Sequence, residues 1–238
     1  MQNVNCAFLD KVKESFRLYL DTGARSNEKL KPIHSFIADA LKQELNDPEL
    51  TFCSLRPGQR GGEKSVAGRY MDKNVDIAVC RGDTVLGAVG FKFVMSNYKQ
   101  NSNNYFENML GETANIRCNR IPYFQVLVLL KELPYYDNSG RITRTEHINE
   151  HNLHKYIKLS EDNIETFFHT PTKTLIYVVS LSESLSDHHI ANKAQYNEFF
   201  RDKDLNVDNE FNDLFQSGVV INDFAKFIKK VANYINSI

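Results

Sequence analysis

Two charged side chains stand where apolar ones are expected. In the run "NVDIAVC", Asp76 lies between Val75 and Ile77, with apolar residues continuing to Val79; in "TVLGAVGFKFVM", Lys92 lies between Phe91 and Phe93. An isolated carboxylate or ammonium is expensive to desolvate, so each calls for a counter-charge, a phosphate or a metal-bound ligand. A lysine held this way is also easily tuned as a catalytic group. The strand period of two puts Ala88, Gly90 and Lys92 on one face and Val89, Phe91 and Phe93 on the other. Lys92 therefore points toward small neighbours. Two adjacent strands can bring it onto one face with Asp76, sixteen residues earlier.

The elements that must position this pair follow from periodicity. "AFLDKVKESFRLYL" and "NEKLKPIHSFIADALKQEL" predict two amphipathic helices, with apolar stripes at Phe8, Leu9, Val12, Phe16, Leu18 and Leu20 and at Leu30, Ile33, Phe36, Ile37, Leu41 and Leu45. A short β run, "TFCSL", and a glycine-rich basic loop come next. Three strand candidates then follow, "SVAGRYM", "NVDIAVC" and "TVLGAVGFKFVM", separated by the turn-like "MDKN" and "RGDT". They predict an antiparallel meander. "NSNNYFENMLGETANIR" has Phe106, Met109, Leu110 and Thr113 at helical spacing, and the unbroken apolar "IPYFQVLVLL" suits a strand buried on both faces. "TLIYVVSL" is a further buried strand, and "DFAKFIKKVANYINSI" closes the chain as an amphipathic helix with Phe224, Phe227, Ile228, Val231 and Ile235 on one side.

An aspartate and a lysine on adjacent strands resemble the PD-(D/E)xK nuclease superfamily, to which many type II restriction endonucleases belong. Within that resemblance Asp76 ligates Mg²⁺, Lys92 orients or helps deprotonate the attacking water, and the backbone carbonyl of Phe91 supplies another metal ligand. Two positions depart from the pattern. Val75 stands where the motif has proline, and Gly90 stands where the second carboxylate, two before the lysine, belongs. A glycine there leaves room beside Lys92 for an acid from another element, and some members of the superfamily take it from the following helix. Glu107, fifteen residues after Lys92, is the first choice; Glu112, on the opposite flank of the apolar stripe, is the alternative, and Glu63, thirteen before Asp76, is a third. The resemblance covers roughly residues 56–130. It implies an α/β fold with a restriction-endonuclease-like core, a mixed sheet with an antiparallel meander flanked by helices. The expected layout is one domain over residues 1–238, with a catalytic core at about 51–131, a helical segment at 1–50 and α/β decoration at 132–238. The implied activity is Mg²⁺-dependent hydrolysis of phosphodiesters in double-stranded DNA by a sequence-specific type II enzyme; a palindromic target would favour a homodimer. The alternatives are a repair or junction nuclease of the same superfamily, or a catalytically silent module that binds DNA or protein.

Composition constrains the partners. With 29 basic and 30 acidic residues the chain is no polycation, so any nucleic-acid contact must come from local clusters. "SLRPGQRGGEKSVAGR" is one, collecting Arg56, Arg60, Lys64 and Arg69 around four glycines with a single acid. These four side chains, with Asn101 and Asn103 as base readers, form the expected DNA-contacting set. Asn101 or Ser102 could equally cap the helix. The four cysteines are scattered without a CxxC pair, which argues against a zinc ribbon or a disulfide framework. No apolar stretch is long enough to span a bilayer, and acidic residues interrupt the N-terminal segment where a signal peptide would be apolar, so a cytoplasmic protein is expected. His147, His151 and His154 in "EHINEHNLH" read as surface histidines of a polar helix, His188 and His189 as loop residues, and "RPGQRGG" lacks the P-loop arrangement.

Overall fold

The computed structural model describes residues 3–214 and 218–238. Helix α1 (Val4–Thr22) is capped by the Asn3 side chain and buries Phe8, Val12, Phe16, Tyr19 and Leu20. After a short 3₁₀ turn, α2 (Lys31–Leu45) carries Pro32 in its first turn, where no amide is needed, and ends at Asn46 in the left-handed region, φ 46°. Then come β1 (Leu50–Ser54), β2 (Lys64–Val66), β3 (Lys73–Val75), β4 (Ile77–Arg81), β5 (Thr84–Val94), α3 (Tyr98–Arg117) and β6 (Tyr123–Leu130). The remainder comprises β7 (Glu132–Tyr136), β8 (Ile142–His147), α4 (Glu150–Ser160), β9 (Lys173–Leu181), α5 (Lys193–Phe200), β10 (Leu205–Val207), β11 (Val219–Ile221) and α6 (Phe224–Asn236).

The result is an α/β protein with a mixed sheet flanked by helices. Among the described residues its main sheet runs β1-β4-β5-β6-β9-β10, with β11 pairing with β9 beside β10. The β1, β4 and β5 strands are antiparallel, the β5, β6 and β9 strands parallel. Helix α3 makes the crossover that a parallel β5–β6 pair requires. All eight residues of β6 are buried, as expected for a central strand covered on both faces. Burial of each large apolar side chain there contributes about 1.5–3 kcal/mol.

The two faces of the sheet are covered differently. On one, α1, α2 and α6 pack over Ile77, Val79, Val89, Phe91, Phe124 and Val126. Phe8 stacks on Phe224 with ring centroids 4.0 Å apart and meets the Tyr177 ring edge-on at 4.9 Å, tying α1 to α6 and β9. The other face holds a smaller cluster of Val66, Val75, Ala78, Cys80, Ala88, Ile116 and Tyr123, where α3 and the β2–β3 ribbon cover the sheet. The alternation expected for β5 is therefore present: Val89 and Phe91 join the first core, Ala88 the second.

Three sequence expectations are corrected. "SVAGRYM" is not a strand of a meander: only Lys64–Val66 is extended, and it pairs with β3 in a separate two-stranded ribbon. The chain between them turns back at Gly68–Met71, so "MDKN" is no hairpin turn, whereas "RGDT" is, with Gly82 at φ 56°. Helix α3 starts at Tyr98, earlier than expected, so Asn101 and Ser102 lie inside it and cap nothing; Asn97, left-handed at φ 49°, is the N-cap residue. His147 ends strand β8 while His151 and His154 lie on α4, so the three do not share a helix. No described helix is long and apolar enough to cross a membrane.

Candidate active site

The site forms where strand pairing stops. β4 begins at Ile77, opposite Val89, while β5 continues to Val94. Before Ile77 the chain leaves to pair with β2, so the β5 edge beyond Val89 loses its partner strand. Asp76 occupies the fork, between β3 and β4, and its Oδ2 accepts the Phe91 N–H at 2.7 Å. The amide and carbonyl of one strand residue point to the same edge, so the Phe91 carbonyl leaves on the side where Asp76 lies.

Residues from both faces converge on this fork. From α2, His34 reaches Asp76 with Nε2 4.0 Å from Oδ1, and its ring meets Phe91 edge-on at 5.1 Å. His34 is fully buried, and neither ring nitrogen has a hydrogen-bond partner among the described residues. Burial drives its pKa down to about 3, so the imidazole is neutral and keeps a lone pair available. From the loop before β2 comes Glu63; one ligand atom each of His34, Glu63 and Asp76 lie within 4.8 Å of one another. A buried imidazole with no partner, beside two carboxylates, is the donor set a divalent cation would satisfy.

The other side of the fork carries Lys92. Its Nζ lies 3.9 Å from Glu112 Oε2, and Lys73 on β3 holds the second oxygen of that glutamate at 3.0 Å. Glu112 is 12 % exposed, Lys92 33 %. Glu107 lines the same cleft, of about 500 Å³, together with Tyr70, Met71, Lys73, Lys92 and Glu112, but is solvent-exposed and makes no ion pair with Lys92. Of the two helix acids, Glu112 rather than Glu107 thus stands against the lysine.

Gly90 is not beside an empty space. Register places it opposite Gln125 on β6, and a Cβ there would collide with the Tyr123 hydroxyl and lie 2.9 Å from Gln125 Oε1. Both groups are buried; the Gln125 carboxamide has no hydrogen-bond partner among the described residues, and the Tyr123 hydroxyl stands beside the Glu112 carboxylate. Tyr123, desolvated and facing the charges of Glu112 and Asp76, has its pKa pushed well up and keeps its proton. The position two before the lysine is therefore closed to a carboxylate by a phenol and a carboxamide from the next strand. The acid near Lys92 comes from α3 instead.

These surroundings set the Asp76 charge. Although 24 % of its side chain stays open, loss of solvent on the other sides raises its pKa to about 6. The Phe91 amide and Lys92 oppose the rise, and Glu112 and Glu63 add to it. At neutral pH the carboxylate is ionised in a place that penalises the charge, which is the condition a bound cation would relieve.

The expected DNA-contacting residues are not equivalent. Arg56 is engaged by Asp39 on α2 through two hydrogen bonds, 2.9 and 3.3 Å. Asn101 donates from its side-chain carboxamide to the backbone carbonyl of the N-cap residue Asn97. Arg60, Arg69 and Asn103 are exposed, and Lys64 is half-buried on β2. Sequence reasoning passed over His34, Lys73, Tyr123 and Gln125. A histidine on the buried stripe of α2 and a glutamine within the apolar run of β6 were the available signals. Comparison with protein-family models, curated proteins and solved structures found no match to this chain.

Proposed function

We propose that this protein is a divalent-metal-dependent nuclease that hydrolyses phosphodiester bonds of double-stranded DNA, built on a restriction-endonuclease-like arrangement of the α/β core. One observation carries the reading: Asp76, placed at a strand fork by the Phe91 amide, lies beside an unpartnered buried His34, near Glu63, and opposite the Lys92–Glu112 pair. Asp76, Glu63 and His34 would hold the ion, with the Phe91 carbonyl at the same edge. Mg²⁺ or Mn²⁺ fits the oxygen donors, and the imidazole shifts the preference toward Mn²⁺. When bound, such an ion stabilises charge on the scissile phosphate and lowers the pKa of a bound water.

The protein's own groups do the rest. Lys92, anchored by Glu112, presents an ammonium that can orient a water toward phosphorus and neutralise a non-bridging oxygen. Glu112 is itself steadied by Lys73, and Tyr123 keeps a phenolic proton beside that carboxylate. Arg60, Lys64 and Arg69 would supply phosphate contacts along the basic segment. Such contacts fix position on the duplex without reading its sequence. Sequence-specific restriction activity, and a dimer matched to a palindromic site, are the finer form of the proposal.

The test is cleavage of plasmid and phage DNA with Mg²⁺ or Mn²⁺, against Ca²⁺ and chelator controls. Discrete fragments that depend on Mg²⁺ or Mn²⁺ are expected, and they should vanish in Asp76→Ala and Lys92→Ala proteins that still bind DNA. Cutting confined to branched DNA would assign a junction enzyme, and binding without any cutting a silent module. Unchanged cleavage in either variant would overturn the site assignment.

A further inference from the structure

Tyr70 and Met71 are 77 % and 67 % exposed, although both belong to a tightly held turn. Buried Asn115 on α3 secures that turn. Its Oδ1 accepts the amides of Tyr70 and Met71 at 2.9 and 3.3 Å, and its Nδ2 donates to the Met71 carbonyl at 2.8 Å. The Asn115 backbone carbonyl accepts the Arg69 amide at 2.7 Å, and Gly68 closes the turn on the Met71 carbonyl at 3.2 Å. Gly68 is required, since a Cβ would strike the Asn115 carboxamide. Five hydrogen bonds therefore order a backbone whose two largest apolar side chains are left bare. The ordered turn leaves both side chains presented at the surface.

What they are presented to is indicated by the surroundings. Tyr70 and Met71 line the cleft that holds Lys92, Lys73 and Glu112, and the neighbouring Arg69 is exposed. The lining sets Lys73 and Lys92 against Glu107 and Glu112, with the exposed Arg69 next in sequence to Tyr70. An exposed aromatic ring on an ordered turn beside such cations suits a nucleic-acid strand: cations follow the phosphates, and the ring takes the face of any base. We propose that the Gly68–Met71 turn is a stacking prong, on which Tyr70 packs against a base of the DNA strand entering the cleft while Met71 fills the space beside it. This rests on the nuclease reading above and extends it. Contact with a base face implies that the bound strand is locally unstacked next to the cut site.

The test uses the full-length protein, Ca²⁺ in place of the catalytic ion, and a fluorescein-labelled 30-base-pair mixed-sequence duplex carrying bromodeoxyuridine in place of thymidine. Irradiation of the wild-type complex should crosslink Tyr70, located by mass spectrometry of the peptide. Tyr70→Ala should lose the crosslink and bind the duplex about 5- to 150-fold more weakly, in line with about 1–3 kcal/mol for one base–aromatic stack. Tyr70→Phe should retain both. Wild-type protein that cuts DNA while Tyr70→Ala binds equally well, with no crosslink at residue 70, overturns the prong and leaves the nuclease reading standing. Wild-type protein that neither binds nor cuts DNA overturns both. Capture of a protein partner through Tyr70, with DNA binding unaffected by Tyr70→Ala, also overturns it.

Discussion

Replacing Asp76 with asparagine should make the metal-free protein more stable at neutral pH. An unperturbed aspartate titrates near 3.8, whereas desolvation at the strand fork raises Asp76 to about 6. A group whose folded pKa is raised in this way binds its proton more tightly in the folded state, so stability falls as pH climbs from about 4 to about 6 and then levels off. Two pKa units correspond to roughly 3 kcal/mol, an upper figure because the carboxylate keeps some contact with water. Asparagine keeps an oxygen to accept the Phe91 N–H and carries no charge, so Asp76→Asn should recover up to that amount at pH 7.5 and almost none at pH 4. For a chain of this length roughly 3 kcal/mol corresponds to about 6–12 °C in Tm. His34, with its pKa lowered to about 3, has the opposite dependence, losing stability as pH drops below its unfolded value; both proteins share it, so it cancels in the comparison. The assay is urea unfolding of both proteins in chelator at the two pH values, repeated with saturating Mn²⁺, which should stabilise only the wild type. Equal stability at pH 7.5, or a less stable variant, would refute the claim that Asp76 is held ionised at a cost.

Three further outcomes follow from the same geometry. Gly90→Ala should destabilise the fold by about 1–3 kcal/mol in chemical denaturation, because the new methyl meets the Tyr123 hydroxyl and Gln125; a neutral effect would mean that the two side chains move aside. Glu112→Gln should slow single-turnover DNA cleavage about 10- to 100-fold by releasing Lys92, while Glu107→Gln should leave the rate within about twofold; the reverse order would make Glu107 the working acid. His34→Leu should leave metal-free stability unchanged or raised, since two unsatisfied buried nitrogens disappear, yet weaken Mn²⁺ binding at least about tenfold by calorimetry. Unaltered Mn²⁺ affinity would remove His34 from the ligand set.

The placement of charged side chains at the fork was partly legible in the chain. Asp76 and Lys92 stood out because charges interrupt apolar runs, and the period of two put Lys92 on the face opposite Phe91 before any tertiary information entered. The terminal helices and the buried strands β6 and β9 were equally plain, their apolar patterns being long and regular. Gly90 was misleading. The space beside it is filled by Tyr123 and Gln125, which depends on the parallel β5–β6 register, and no local pattern encodes that register. The choice between Glu107 and Glu112 turned on how α3 is seated. That helix buries only a sparse stripe including Met109, Thr113 and Ile116, so its polar sequence fixed the seating weakly. His34 was hidden within the apolar stripe of α2, where periodicity marks a residue as core but says nothing of what its ring faces.

The most direct test is anomalous diffraction from crystals of the wild-type protein grown with Mn²⁺. A peak in coordinating contact with the Asp76 carboxylate, shared with Glu63 and His34 Nε2 and facing Lys92, is the expected result. Saturating Mn²⁺ with no density at Asp76, or a peak confined to some other part of the surface, would contradict it.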